Sequence, residues 1–512
     1  MSSNALLNLP ELSPYETDST MNPLQATAPY ADALRRLADM DWQQLEVPGH
    51  QNSAQGAATL GELFGERLLR LDLPMMFAQI DQDSWRFINP DKLGPLDIAQ
   101  QLAAEAWGAR RAWFLTNGAS SGNHIGTMAA RLLGRSMIVQ RSVHSSVIDG
   151  IAHSGIDAHF VHGAVDVDLG SSHGVTAAQV EQALIEHPDA ASVYIVTPSY
   201  FGAVSDVAAI AEVVHAHGKP LIVDEAWGSH FGFHPDLPAN AARLGADLVI
   251  SSTHKAAGSL TQSAMLLLGT GPFAEAIEDT VARVYRSYQS TSCSSLLIAS
   301  LDEARRNLMV NGRDSIARNL RAVQAIRAGV QQGGRFRDVT DEIRLSEGTI
   351  DTDPFKVVID TRPGKISGGE AAYRLLRDHQ IVVEMSTPSV LVLLLGATTE
   401  INVERVLSAL HALPEVPESL GRAVTLPAIS ERRMGVQEAF FSPAELVPAT
   451  EAVGRISADA LAAYPPGIPN LLPGEVVTDE IVSFLQETAL DNSGYVRGAA
   501  DPRVHTMRVI TQ

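Results

Sequence analysis

From about residue 95 to 270, short apolar runs alternate with amphipathic stretches. AWFLTNG precedes SSGNHIGTMAARLLG, SMIVQR precedes HSSVIDGIAHSG, and ASVYIVTP precedes VAAIAEVVHAHG, with LIVDE and DLVIS following. Runs this short read as buried strands, and the stretches between them carry the spacing of helices. Such alternation with tight connections predicts a mainly parallel sheet covered on both faces. Gly134 and Gly218 each follow an apolar-periodic run, where a left-handed helix end favours glycine. Residues 296–330 read as long helical material, and 354–410 return to strand and helix through PFKVVIDT, GGEAAYRLLRDH, IVVEMS, VLVLLLG and NVERVLSALHAL. The proline-bearing LPEVPESLGRAVTLP (412–427) marks a boundary, and the prolines of AYPPGIPNLLPGE (463–475) argue against regular structure there. The expected division is an N-terminal segment (1–70), a large α/β domain (71–305), a smaller α/β domain (306–415) and a C-terminal α+β segment (416–512).

Composition narrows the class. A chain of 512 residues, 45% hydrophobic and 19% charged, can bury a large core. No run approaches the roughly 18 to 20 apolar residues of a membrane span, and the N-terminus lacks signal-peptide character, so the expected location is cytoplasmic, with no membrane partner. Cys293 is the single cysteine, which excludes an intrachain disulfide and a cysteine-rich zinc site. A net charge of −21 repels phosphate backbones, so no nucleic-acid partner is expected, while cationic small molecules are attracted.

In open parallel sheets ligands sit at the carboxyl ends of the strands. Four such positions carry unusual residues. TNGASSGN (116–123) can converge backbone N–H groups and hydroxyls on a phosphate, or simply cap a helix at Ser120 or Ser121. IVDEAWGSH (222–230) ends a strand with Asp224, which can keep a heteroaromatic nitrogen protonated, cap a helix or bind a metal. SSTHKAAGS (251–259) places Lys255 after a buried strand, as a Schiff-base amine or a snorkelling side chain. QRSVHSSV (140–147) places His144, whose ring can stack on a cofactor or fill an ordinary core position. Phosphate cradle, stacking ring, nitrogen-pairing carboxylate and amine together match the demands of pyridoxal phosphate, with Lys255 forming the imine to its aldehyde and no metal required.

These segments resemble the Orn/Lys/Arg decarboxylases of the fold type I, pyridoxal-phosphate-dependent class, from about residue 45 to 480. VDEAWGSHFGFHPDLP (223–238) and STHKAAGSLTQSAML (252–266) are similar to the family's cofactor-nitrogen and Schiff-base segments. PGHQ (48–51), FLTNGASSGN (114–123), TPSYFG (197–202), STSCSSLLIASLDEAR (290–305) and YPPGIPNLLPGE (464–475) follow in family order. The resemblance implies an aspartate-aminotransferase-like large domain. It also implies that Lys255 carries the cofactor, Asp224 pairs its ring nitrogen, His144 stacks on the ring, and Trp227 lies beside the ring hydroxyl. Ser120, Ser121, Ser252 and His254 would hold the phosphate, with Thr291 or Ser292 reaching the phosphate of a neighbouring subunit in a homodimer or larger homo-oligomer. The early PGH motif resembles the short form without an N-terminal wing domain.

The expected reaction is decarboxylation of an amino acid, most readily a basic one such as lysine, arginine or ornithine, with Lys255 or His254 returning a proton to Cα. Glu384, in the strand-like IVVEMS, is the candidate for a cationic substrate side chain. Gln51, Ala119, Ser145 and Cys293 depart from the family's usual Lys, Thr, Lys and Pro. They keep open another reaction on the same scaffold, such as transamination, elimination or decarboxylation-linked oxidation. A catalytically silent binding protein is the alternative from a different class, and the intact set of Lys255, Asp224 and His144 argues against it.

Overall fold

The computed structural model describes residues 22–41, 43–53, 58–81, 86–87, 93–166, 171–420, 427–464, 468–490 and 494–511. Its centre is a seven-stranded sheet of β1 (Arg111–Leu115), β2 (Ser136–Gln140), β3 (Asp157–Val161), β4 (Val193–Val196), β5 (Leu221–Asp224), β6 (Leu248–Ser251) and β7 (Ala264–Leu268). The spatial order is β1-β7-β6-β5-β4-β2-β3, and β7 alone runs antiparallel to its neighbours. The carboxyl ends of the other six strands therefore share one edge.

Strand alternation divides the core into two layers. Phe114, Ile138, Ile195, Val223 and Val249 point to one face, and Leu115, Val139, Val196, Ile222 and Ile250 to the other. The first face is covered by α1 (Pro29–Ala38), α2 (Pro95–Trp107), α5 (Ala177–Glu186), α6 (Val207–Ala216) and α8 (Ser295–Gly333). The second is covered by α3 (Gly118–Leu133), α4 (Ser145–Ser154) and α7 (Ala274–Tyr288). Both faces are buried, which is why the strands read as continuous apolar runs. Among the described residues no helix is long and apolar enough to cross a membrane.

The 39-residue α8 carries the chain to a second sheet of β8 (Arg337–Asp338), β9 (Lys356–Asp360), β10 (Met385–Ser386) and β11 (Val390–Leu394), ordered β8-β9-β11-β10 and antiparallel throughout. Helices α9 (Gly368–His379) and α10 (Val403–Ala412) accompany it. Tyr200, Phe201 and Trp227 pack with Val339, Val358, Met385 and Val392 to form the joint between the two sheets. The C-terminal part pairs β12 (Ala444–Pro448) with β16 (Thr506–Ile510) and sets β13 (Leu461–Tyr464) between β14 (Pro469–Leu471) and β15 (Tyr495–Arg497), beside α11 (Asp479–Leu490). A buried Arg141–Glu475 pair and an Arg497–Asp149 pair at 2.8 Å fasten it to the large sheet.

Three local expectations are corrected. Gly218 is left-handed (φ 71°) as the pattern implied, but Gly134 is extended at φ −176°. Glycine is needed at 134 for closeness, because a Cβ there would stand 2.5 Å from the Ala191 Cβ. Pro469 opens β14, contrary to the expectation of irregular structure across 463–475; β14 is an edge strand, where a missing N–H is tolerated. Residues 465–467 of that stretch, like 1–21 of the N-terminal segment and 421–426 of the proline-bearing boundary, lie outside the described residues. IVVEMS is strand only at Met385–Ser386, so Glu384 immediately precedes β10.

Candidate active site

The site forms where the strands end. Asp224 is the last residue of β5 and is 1% exposed. Its Oδ2 accepts a 2.9 Å hydrogen bond from Asn123 Nδ2, and its Oδ1 accepts one of 3.0 Å from the Ala226 N–H. Burial pushes its carboxyl above the ordinary value, opposed by Asn123, the Lys255 charge and the Ala226 N–H. Asn123 reaches it because α3 lies tight on the sheet. A Cβ on Gly122 would meet Ile250 Cγ2 at 2.8 Å, and one on Gly126 would meet the Tyr194 ring at 3.2 Å.

Asn123 is fully engaged. Its amide also donates to Ser146 Oγ at 2.9 Å, and its Oδ1 accepts from the Tyr194 hydroxyl at 2.8 Å. Ser146 continues the chain to His144: its backbone N–H donates to Nδ1 at 3.2 Å, and its Oγ lies 2.8 Å from the same nitrogen. Nδ1 is thereby an acceptor, which places the ring proton on Nε2. Burial, with the Lys255 charge next, lowers His144 to about 3, so its ring is neutral at neutral pH. His144 N-caps α4, and that structural role coexists with its place at the site.

Lys255 sits in the single helical turn Thr253–Ala256 that follows β6. Its Nζ lies 3.7 Å from the centroid of Trp227. Desolvation lowers it to about 8, opposed by the charges of Asp224 and Glu384. His254 is lowered to about 4, by desolvation first and by Lys255 second. Gln262 pins this segment to the start of α3: its carbonyl accepts from the Gly118 N–H at 2.8 Å, and its side chain donates to Asn117 Oδ1 at 3.1 Å. Ser252 and His254 therefore stand on a segment fastened to the helix end that bears Ser120 and Ser121.

The N-cap of α3 is Asn117, with no side-chain cap, rather than either serine. Ser120 is exposed, and Ser121 Oγ donates to the Gly118 carbonyl at 2.8 Å. Free N–H groups at the start of a 16-residue helix suit a phosphate. Two buried donors, Trp227 Nε1 and Thr253 Oγ1, have no hydrogen-bond partner among the described residues, leaving them open to a cofactor oxygen. The residues present thus fit pyridoxal phosphate.

Glu384 is exposed, and its charge acts on both Lys255 and Lys356. Burial raises its carboxyl, and the two lysines oppose the rise. Thr291 and Ser292 are exposed, and Ser292 meets Ser290 locally through their hydroxyls (3.3 Å) and through its own N–H, which donates to Ser290 Oγ. Sequence reasoning missed Asn123, Ser146 and Tyr194 as supports of Asp224 and His144, and missed Lys356 altogether.

Comparison with known proteins places the chain in a family. The model "Orn/Lys/Arg decarboxylase, major domain" matches residues 28–402, and "Orn/Lys/Arg decarboxylase, C-terminal domain" matches 424–493. The chain is 33% identical to the arginine decarboxylase of Bacillus subtilis (strain 168), over 95% of this chain and 99% of that one. It is 23% identical to the lysine decarboxylase of Hafnia alvei, over 90% of this chain and 74% of that one. Among solved structures, the lysine decarboxylase of Francisella novicida superposes with a TM-score of 0.78 at 19% identity, covering 94% of this chain and 81% of that one. The constitutive lysine decarboxylase of E. coli gives 0.75 at 18% identity, covering 95% and 82%. The chain belongs to the Orn/Lys/Arg decarboxylase family, fold type I enzymes that use pyridoxal phosphate to release CO2 from a basic amino acid.

Proposed function

We propose that the substrate is arginine and that the residues assembled around Lys255 are the working site. The observation that carries the reading is Lys255 itself, an amine buried at a strand end against Trp227, with the Asp224 carboxylate and the neutral His144 ring around it. Arginine is favoured over lysine and ornithine because several relatives 32 to 34% identical over most of the chain are arginine decarboxylases. Glu384, whose charge acts on Lys255, supplies a carboxylate for the guanidinium, and the net charge of −21 favours a cationic substrate.

Pyridoxal phosphate, when bound, supplies an electron sink for the pair left behind as CO2 departs. Lys255 would carry it, Ser120, Ser121, Ser252 and His254 would hold its phosphate, and Trp227 would lie beside its ring hydroxyl. Asp224, fixed by Asn123 and the Ala226 N–H, would hold a proton on the ring nitrogen. His144 would lie on the ring as a neutral plane, adding no charge that competes with Asp224. Lys255 Nζ or His254 would return a proton to Cα. The catalytic unit is a cytoplasmic homodimer or larger homo-oligomer in which exposed Thr291 or Ser292 reaches the neighbouring phosphate.

The test is to mix cofactor-loaded protein with arginine, lysine and ornithine and to measure CO2 together with product mass. Arginine should give CO2 and its amine in equal amounts. Turnover of lysine or ornithine alone would overturn the substrate, and a keto acid in place of the amine would overturn the reaction.

A further inference from the structure

A single glutamine holds the start of α3 by two bonds. Ser263 N–H donates to the Leu260 carbonyl at 3.1 Å and closes a four-residue turn between the Lys255 segment and β7. The third residue of that turn is Gln262 at φ 78°, a left-handed position where such a turn favours glycine. A glutamine kept there against its conformational preference points to a use for its side chain. Its carbonyl accepts from the Gly118 N–H at 2.8 Å, and its Nε2 donates to Asn117 Oδ1 at 3.1 Å. Asn117 is the N-cap of α3, where an asparagine ordinarily turns its oxygen onto the N–H two or three residues further on. Here it caps nothing, and its oxygen faces Gln262 instead. The next N–H groups, of Ala119 and Ser120, have no acceptor among the described residues. The same turn reaches the Lys255 segment, because the Ser263 carbonyl accepts from the His254 N–H at 3.4 Å. Thr253, the preceding residue, buries a hydroxyl that has no partner among the described residues.

We propose that Gln262 is a positioning residue of the phosphate site: by holding the Asn117 oxygen it keeps that asparagine from capping α3, so that the Ala119 and Ser120 N–H groups stay open to the cofactor phosphate. A helix start without its cap presents N–H groups and a partial positive charge that an outside acceptor must satisfy, and a phosphate does so best. Gln262 acts on the phosphate through Asn117 and has no need to touch it. Two consequences follow from that route. The effect of Gln262 is confined to ligands that carry a phosphate, and it vanishes when Asn117 has no oxygen to offer. The inference rests on the reading of this helix end as the phosphate site.

The experiment measures binding of pyridoxal phosphate, pyridoxal and inorganic phosphate to the full-length apoprotein. The two aldehydes are followed by visible absorbance and phosphate by calorimetry, with circular dichroism confirming the fold of each variant. Gln262→Gly suits the left-handed turn and keeps the carbonyl that Gly118 uses, so it isolates the side chain. It should weaken inorganic phosphate and pyridoxal phosphate about fivefold, the factor that one capping bond is worth, and leave pyridoxal unchanged. Adding Asn117→Ala to the glycine variant removes the competing oxygen and should restore the wild-type affinity for phosphate. Unchanged phosphate affinity in Gln262→Gly, an equal loss for pyridoxal, or a double variant as weak as the single one would each overturn the proposal. Ala119→Pro deletes one of the two N–H groups at a place in the helix where proline is tolerated, and it separates the two readings. Unchanged phosphate affinity there means that the helix end is not the phosphate site, whereas a loss there with no effect at 262 rejects only the role of Gln262.

Discussion

Asn123 offers the sharpest test of how the site is built, because one carboxamide serves three partners. Replacing it with alanine leaves Asp224 Oδ2 without its 2.9 Å donor and the buried Tyr194 hydroxyl without its acceptor, while Ser146 keeps its contact with His144. Each of these two stranded buried groups costs about 1–3 kcal/mol, so the apoprotein should lose about 2–6 kcal/mol of stability, seen as an earlier urea transition. The more searching variant is Asn123→Asp, which keeps the shape and exchanges a donor for a second carboxylate.

Two carboxylates about 4 Å apart repel by about 4 kcal/mol at an effective dielectric near 20. In a pocket where burial already raises Asp224, that repulsion favours its neutral form. A neutral Asp224 cannot hold a ring nitrogen protonated. The aspartate variant should therefore fall below the alanine variant in kcat at low pH despite its closer shape, and its activity should recover as pH rises and the proton held between the two carboxyls is lost. Steady-state decarboxylation measured from pH 6 to 9 decides it. An aspartate variant as active as alanine, with a parallel pH profile, would refute the claim that Asn123 acts on Asp224 through charge.

Two further outcomes follow from the same walls. Gly150→Ala would set a Cβ 2.2 Å from Thr127 Oγ1 and push α4, with His144 at its start, off α3; the expected loss is about 1–3 kcal/mol with a weaker cofactor complex, and Thr127→Ala added to it should recover part of both in thermal melts. His144 titrates at about 3 when folded against roughly 6.5 unfolded, so the unfolded chain binds the extra proton between those values. Its contribution to stability is complete above pH 6.5 and is lost as pH falls towards 3, amounting to about 2 kcal/mol of loss at pH 5. His144→Phe should flatten that part of the stability curve, and an unchanged acid limb would contradict the neutral buried ring.

Asp224 and Lys255 were legible because each follows an apolar run too short for a helix, and a charge at the end of a buried strand needs an explanation. The cofactor emerged from the conjunction of such anomalies, since a phosphate cradle or a lone histidine has an ordinary alternative. IVVEMS misled because apolarity was taken for pairing. Its first residues are only partly covered, with Val382 80% exposed and Ile381 and Val383 half-buried, and the strand proper begins at Met385. Gly134 misled in the opposite way, since sequence shows that a glycine ends a helix but not that another segment presses against it.

Lys356 shows where sequence reading stops and what would have extended it. PFKVVID carries the same anomaly as the stretch before Lys255, a lysine joined to a wholly buried strand, and the strand itself was read correctly. The anomaly passed because the lysine stands at the amino end of β9, away from the strand-end rule that governs parallel sheets. That rule applies within one sheet, whereas Lys356 belongs to an antiparallel sheet that meets the first through Trp227 and Tyr200. The apolar joint fixes which side chains can meet: Trp227 is brought by the large sheet, packed by the small one, and faced by a lysine from each.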